Sequence, residues 1–292
     1  MKWGAEAIWE AVVPSLPGFS VEILPEIDST NSELMRRARA GQLEPILLVA
    51  ERQTAGRGRL GRTWHSGDTG VGGQIPAGPP LGNLAPSGGS AVREATSVGA
   101  ITPSLTFSLG LPLSPQSWSG LSLAVGLAVA QSLHPELRLK WPNDLWLGER
   151  KLAGILIETA SFNDQRYAVI GIGINIAPCS AAGLATAPAW LQEVQPGMDA
   201  ALALQRIALP LVQTLQKFEK TGFSTFQADF NARDLLAQRG VTLSDGTTGR
   251  ALGVDAEGAL RVQNPDGLMR VTSSEVSVRP LPLDAPSVLD KT

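Results

Sequence analysis

Gly56-Arg57-Gly58-Arg59-Leu60-Gly61-Arg62 carries the densest chemistry in this chain. Three glycines let a backbone fold closely round a ligand and present its amides, and three arginines offer planar forks that match carboxylate or phosphate oxygens. The segment reads as an anion cradle. It lacks the Gly-Lys-Ser/Thr ending of a P-loop, and taken alone it is equally a solvated basic turn or an Arg/Gly tract that grips RNA. Lys151 is a second candidate. Strict alternation along Lys151-Leu152-Ala153-Gly154-Ile155-Leu156-Ile157-Glu158 puts Lys151 on one face with Ala153, Ile155 and Ile157, and puts Leu152, Leu156 and Glu158 on the other. A charge on an apolar face calls for a partner or a ligand. Gln53 offers both a donor and an acceptor, although an exposed strand-end glutamine is its commoner role. His65 and His134 have no partners at metal-ligand spacing and Cys179 is isolated, which argues against a structural zinc site or any metal site built from protein alone. Gly171-x-Gly173 lacks the third glycine and the following helix of a dinucleotide fold.

Short apolar runs at 21–27 and 46–50 read as strands on either side of a helix over 31–40. Thr30 stands three residues before Glu33, the spacing of a capping box. Residues 104–111 alternate like a strand, and 119–133 form a helix apolar almost all round, hence buried. Strand-like runs follow at 137–141, 145–147, 152–159 and 167–176, the middle two joined as a hairpin through Gly148-Glu149. Leu204, Ile207, Ala208, Leu211, Leu215 and Phe218 keep helical spacing, although Pro210 is expected to kink or split that helix. From 241 to 278, turns recur about every ten residues, as in a small all-β module. The boundary falls near Gln238, and the tail after Pro280 is expected to fray. Residues 67–103 hold nine Gly, five Pro and three charged residues with no periodicity, the signature of a lid or a flexible insertion.

The chain has 292 residues, enough for about two domains. Charged residues make up 17%, against roughly 25% in average globular proteins, and 43% are hydrophobic, so a charge-rich disordered chain is excluded. A net charge of -3 gives no global field for gripping nucleic acid or anionic lipid. One cysteine forms no internal disulfide, which favours a reducing compartment. Glu6 and Glu10 interrupt any export signal, and 121–133 is too short to cross a bilayer, so a soluble, cytoplasmic protein without membrane contact is expected.

Five segments in order, Ser29-Thr30-Asn31, Glu51-Arg52-Gln53-Thr54-Ala55 running into the Arg/Gly segment and Trp64, Lys140-Trp141-Pro142-Asn143-Asp144, Lys151 to Glu158, and Gly171-Ile172-Gly173-Ile174-Asn175, together resemble the catalytic domain of biotin protein ligases. The likeness covers about residues 21–280. It implies an α+β fold of the class II synthetase-like, biotin/lipoate ligase type. A mixed β-sheet catalytic domain packed with helices occupies residues 1–237, with 67–103 as an insertion. A small SH3-like β-barrel follows at 238–280, then a tail at 281–292. Bifunctional members carry an N-terminal helix-turn-helix. The roughly twenty residues before the first strand are too few to build one, so a monofunctional enzyme without specific DNA binding is expected.

The resemblance further implies a reaction in which biotin and ATP, the latter with Mg²⁺, yield biotinyl-adenylate and pyrophosphate. The biotinyl group then passes to a lysine of a biotin carboxyl carrier protein, from acetyl-CoA carboxylase or a related biotin carboxylase. By the same likeness Ser29, Thr30, Asn31, Gln53, Gly56, Arg57, Arg59, Lys151 and Gly154 border biotin. Arg59, Arg62, Trp64, Asn143, Lys151 and Asn175 border ATP, while Lys151, Arg57, Arg59 and Asp144 carry the catalysis, Asp144 orienting the incoming lysine. From the residues alone, Thr30 is as readily a helix cap, Trp64 a space-filler, Asp144 a turn organiser and Asn175 a turn cap. Monomer and homodimer are both compatible with the sequence. A lipoate ligase is the nearest rival, opposed by the Arg/Gly segment. A non-catalytic RNA-binding module is another, opposed by the net charge and by only 5% aromatic residues.

Overall fold

The computed structural model describes residues 3–64, 103–162, 165–178, 186–272 and 278–281. The 67–103 segment, apart from Pro103, lies outside the described residues, as do His65, Cys179 and the tail from 282.

Seven strands form a mixed sheet: β1 (Ser20–Ile27), β2 (Ile46–Gln53), β3 (Ser104–Pro112), β4 (Arg138–Lys140), β5 (Asp144–Leu147), β6 (Arg150–Phe162) and β7 (Gln165–Asn175). Their order across the sheet is β1-β2-β3-β7-β6-β5-β4. Only β1 and β2 run parallel, as the intervening helix α2 (Thr30–Arg39) requires; the remaining neighbours are antiparallel.

The two faces are covered unequally. Leu47, Val49, Leu105, Phe107, Leu109, Ile170, Ile172 and Ile174 point into one core with α1 (Ala5–Val12), α3 (Leu121–Leu133) and α4 (Ala200–Thr221). On the other face, α2 packs Leu34, Met35 and Ala38 on Leu48, Tyr167 and Val169. The β-ends of that second face stay open, and the cleft described below occupies them. Helix α3 is buried nearly all round, as its composition predicts.

Three expectations change. Ser29, not Thr30, is the N-cap of α2, its hydroxyl accepting from the Ser32 amide, and Glu33 pairs with Arg36 and Arg37 rather than closing a capping box. Pro210 lies inside α4, which spans 22 residues without splitting, so packing on α3 and α1 outweighs the lost hydrogen bond. Strict alternation fails in β6: the register slips between the Leu145 and Trp146 pairings, and Leu152 and Ala153, although consecutive, both enter the core. This bulge moves Lys151 off the apolar face and onto the cleft face beside Gly154.

Helix α5 (Gln227–Arg233) leads to a second, antiparallel sheet of β8 (Gly240–Leu243), β9 (Thr248–Val254), β10 (Leu260–Asn264), β11 (Gly267–Val271) and β12 (Val278–Pro280), ordered β11-β10-β9-β8-β12. It is tied to the first sheet from inside. The fully buried Trp141 indole donates to the Gly258 carbonyl at 3.1 Å. Asn231 accepts from the Val254 amide and donates to its carbonyl.

Asp234, 1% exposed, sits at the junction, where its Oδ1 accepts from the Leu236 amide while Oδ2 has no partner among the described residues. Burial pushes its carboxyl up to about 6. A folded-state value above the unfolded one favours the fold at low pH, and that contribution is lost as pH rises through about 6. Measured against the ordinary ~3.9, the difference is worth roughly 2–3 kcal/mol. Asp234→Asn is therefore expected to gain stability relative to the wild type between pH 4 and 7. Urea denaturation of both proteins across that range checks it; parallel pH profiles would show that Asp234 is solvated.

Candidate functional site

The cleft floor is made of glycine. Gly171 and Gly173 on β7 face it, opposite Ser108 and Thr106 of β3 on one side and Leu156 and Gly154 of β6 on the other. A Cβ on Gly171 would lie 2.0 Å from Asn31 Oδ1, and one on Gly173 would lie 2.3 Å from the Trp64 ring. Side chains from above therefore rest on the bare backbone of β7.

At the α2 end the wall is polar and buried. Ser29, Thr30, Asn31 and Ser108 are each under 5% exposed. The Thr30 amide donates to Gln53 Oε1 at 2.8 Å, and Thr30 Oγ1 lies 3.0 Å from the same oxygen. Ser108 Oγ is 2.7 Å from Thr30 Oγ1 and 2.6 Å from Asn31 Oδ1. Asn31 Nδ2 donates to the Leu156 carbonyl and to Glu158 Oε2. The groups of this network satisfy one another, which is what makes their burial tolerable, and Thr30, Asn31 and Gln53 present polar atoms to the cleft.

The Arg/Gly segment is a small hairpin. The Trp64 amide donates to the Gly56 carbonyl, Arg57 bridges Thr63, and the Gly58 amide donates to the Arg62 carbonyl. Leu60 turns the tip with φ 55° and Gly61 follows with φ 70°, so a non-glycine residue holds a left-handed conformation at an exposed position. The hairpin aims its arginines differently. Arg57 pairs with Glu158, Arg59 donates to Asn143 Oδ1 at 3.3 Å, and Arg62 lines the cleft. Burial lowers the Arg59 guanidinium from its ordinary value.

Cations gather at the β4–β5–β6 end. Lys151 Nζ is 2.7 Å from Asp144 Oδ1, and Lys140, whose ammonium burial shifts downward, faces the cleft between β4 and the Trp146 ring. Strands β3 and β7 lie between this end and the strand of Gln53, so the cleft runs from a neutral polar pocket to a cationic one.

Of the residues singled out by sequence, Ser29, Thr30, Asn31, Gln53, Arg57, Arg59, Arg62, Trp64, Asn143, Asp144, Lys151 and Gly154 all line this cleft. Two differ. Gly56 lies behind the hairpin, where a Cβ would meet the Trp64 carbonyl at 2.4 Å, so it permits the fold of the loop rather than facing the cleft. Asn175 is turned away, its amide donating to the Ala189 carbonyl at 3.0 Å. Lys140, Thr106, Gly171, Gly173 and Val278 also line the cleft. The alternation Thr106-Phe107-Ser108 opposite Gly171-Ile172-Gly173 carried a signal for Thr106 and the two glycines; none pointed to Val278, which arrives from the second sheet.

A model of the biotin/lipoate A/B protein ligase family matches residues 24–71 and 85–175, and one of the biotin protein ligase C-terminal domain matches 239–279. The bifunctional ligase/repressor BirA of Escherichia coli is 33% identical over 281 residues, covering 92% of this chain and 77% of that protein. The chain belongs to the biotin/lipoate A/B protein ligase family. The biotin–acetyl-CoA-carboxylase ligase of Paracoccus denitrificans, another relative, is 31% identical over 87% of this chain and 98% of its own. The structure of the Aquifex aeolicus biotin protein ligase in complex with biotin and ATP superposes with a TM-score of 0.67 at 26% identity, covering 89% of this chain and 99% of that one. The fold is accordingly the mixed α+β sheet of this family followed by its antiparallel, SH3-like C-terminal sheet.

Gly171→Ala is expected to cost about 2–4 kcal/mol, because the methyl group displaces Asn31 from Ser108 and Glu158 together. Urea denaturation measures it; a loss under about 0.5 kcal/mol would mean that α2 yields freely.

Proposed function

We propose that this chain is an ATP-dependent biotin protein ligase, which makes biotinyl-5'-adenylate and pyrophosphate and transfers biotin to a lysine of a biotin carboxyl carrier protein. The observation that carries the reading is the pairing, on one glycine floor, of a buried donor–acceptor wall with a cationic end. A cyclic urea has N–H and C=O groups to satisfy the Thr30–Gln53 wall; the dithiolane of lipoate has neither and would leave those groups unpaired. An RNA-binding surface would need open stacking platforms, whereas Trp64 is seated on Gly173 inside the cleft. The relatives' names and the biotin–ATP complex of the Aquifex aeolicus protein support the same substrates.

A carboxylate resists nucleophiles because its charge repels them, so it is first joined to the α-phosphate. That step crowds negative oxygens together, and preorganised cations stabilise them. In this reading Lys151, held by Asp144, meets the carboxylate and α-phosphate oxygens. Arg59 and Arg62 close over the adenylate, with Asn143 anchoring Arg59, and Lys140 adds charge toward the departing pyrophosphate. Arg57 stays with Glu158 and braces the hairpin. Trp64 covers the ligand from above. When the carrier's lysine approaches, Asp144 is the carboxylate placed to orient it. Magnesium is proposed to arrive with the polyphosphate and neutralise its charge.

We divide the chain at residue 238, with catalysis in 1–237 and the 238–280 sheet supplying Val278 to the cleft. No helix among the described residues is long and apolar enough to cross a membrane. The need for ATP and for carboxylase carriers favours the cytoplasm.

The test is pyrophosphate exchange into ATP that depends on biotin. Lys151→Ala should lower that rate by roughly 10²- to 10³-fold with the fold intact by circular dichroism. A rate within threefold of the wild type would remove Lys151 from the chemistry. Arg59→Gly should still form adenylate but release it faster, since the hairpin loses its tie to Asn143. Free adenylate acylates exposed lysines, so biotinylation of an unrelated protein added to the assay reports the leak. Adenylate retained as long as in the wild type would show that Arg59 does not hold it.

A further inference from the structure

We propose that Arg150 is a positioning residue for the adenylation step: it fastens the strap 188–193 against the start of β6, so that the Ala189 amide fixes the backbone from which Lys151 reaches the cleft. This rests on the reading in which Lys151 meets the carboxylate and α-phosphate oxygens.

The need for such an anchor comes from where β7 ends. The β6–β7 ladder runs only as far as the pairing of Ala153 with Ile174. Beyond it the chain turns toward Pro103, whose carbonyl accepts from the Ile176 and Ala177 amides at 2.8 and 3.1 Å. On its other flank β6 bulges at Leu152, between the pairings of Ala153 with Leu145 and of Lys151 with Trp146. A bulge disrupts the ladder locally and re-aims the side chains around it, and Lys151 stands just past this one on a long, flexible stem. Asp144 holds only its tip, at 2.7 Å. The base is held by the strap: the Lys151 carbonyl accepts from the Ala189 amide at 2.9 Å, and the Ala189 carbonyl accepts from Asn175 Nδ2 at 3.0 Å. Ala189, fully buried, thus takes the place beside β6 that β7 leaves.

Its neighbours in the strap are tied to Arg150. The Arg150 guanidinium donates to the Pro188 carbonyl at 3.3 Å, pairs with Glu193 and lies 5.7 Å from the centre of the Trp190 ring. Glu193 in turn accepts from the Trp190 amide at 2.9 Å. These contacts bracket Ala189 on both sides. The Arg150 and Glu193 side chains are 34% and 22% exposed, and an ion pair open to water to that extent adds little to stability. Its consequence is placement, and a shift of about 1 Å at a reacting group costs up to ~10²-fold in rate.

The experiment measures biotin-dependent pyrophosphate exchange for the wild type, Arg150→Ala, Lys151→Ala and the double variant, with urea denaturation of each. Arg150→Ala should lower kcat about tenfold, with the KM for biotin moving less than about twofold and the urea midpoint close to that of the wild type. Because Arg150 acts through Lys151, the double variant should match Lys151→Ala within about twofold. An Arg150→Ala rate like that of the wild type, a loss carried by KM, or losses that multiply in the double variant would overturn the assignment. Should Arg150→Ala fold poorly by circular dichroism, Glu193→Gln replaces it in the same cycle, with an expected loss of about threefold and the same rule for the double variant. A wild type without biotin-dependent exchange overturns the functional reading itself, whereas a wild type that exchanges while Arg150→Ala does so equally well sinks only the anchor.

Discussion

The cleft depends on how closely other groups approach the backbone of β7. With hydrogen alone at Gly171 and Gly173, Asn31 and Trp64 settle against peptide planes instead of side chains, and the sheet face becomes a shallow trough. The opposite face of the same strand is Ile170, Ile172 and Ile174, all buried against the helices. A period of two thus separates core from site within five residues, and one strand serves both. The weight of stability sits on the isoleucine side. The glycine side is free to be shaped by ligand contacts.

Much of this was legible in the sequence, because the chemistry resides in short segments whose order is diagnostic. The strands around Gln53, Lys151 and Gly173 fall close to where their apolar spacing puts them, and twelve of the fourteen site residues named from sequence reach one cleft. What sequence could not show is phase and reach. The bulge at Leu152 reverses the face on which Lys151 emerges, and no composition rule anticipates a bulge. Ser29 and Thr30 are both good caps, and only the tertiary pull of Gln53 and Ser108 on Thr30 decides between them. Asn175 reads as a ligand because it follows the glycines, yet the neighbouring Ala189 backbone claims its amide. Lys140 needed the hairpin of β4 and β5 to be seen beside Asp144.

Charge is distributed with similar economy. The pairs on the outer face of α2, Arg36 with Asp28 and Arg37 with Glu22, are partly exposed and contribute little each. Those at and beside the cleft matter for geometry. Asp144 holds Lys151, and Glu158 holds Arg57, so each carboxylate fixes where a long, flexible cation ends. Burial shifts Arg59 and Lys140 downward, and an anionic ligand beside them would offset that shift.

The indole of Trp141 has a bearing on modularity. It rises from the turn that carries Asn143 and Asp144, yet its acceptor is a carbonyl of the second sheet. The two sheets therefore share a joint within a few residues of Asn143 and Asp144, and Val278 adds a wall from the same side. A chimera that exchanges the C-terminal sheet between homologues inherits that constraint. It must bring a backbone acceptor to the place of Gly258, or the turn holding the site carboxylate loses its footing. The small terminal sheet of this chain is thus a structural partner of the cleft, and recombination that treats it as a detachable module will disturb the cleft at the joint.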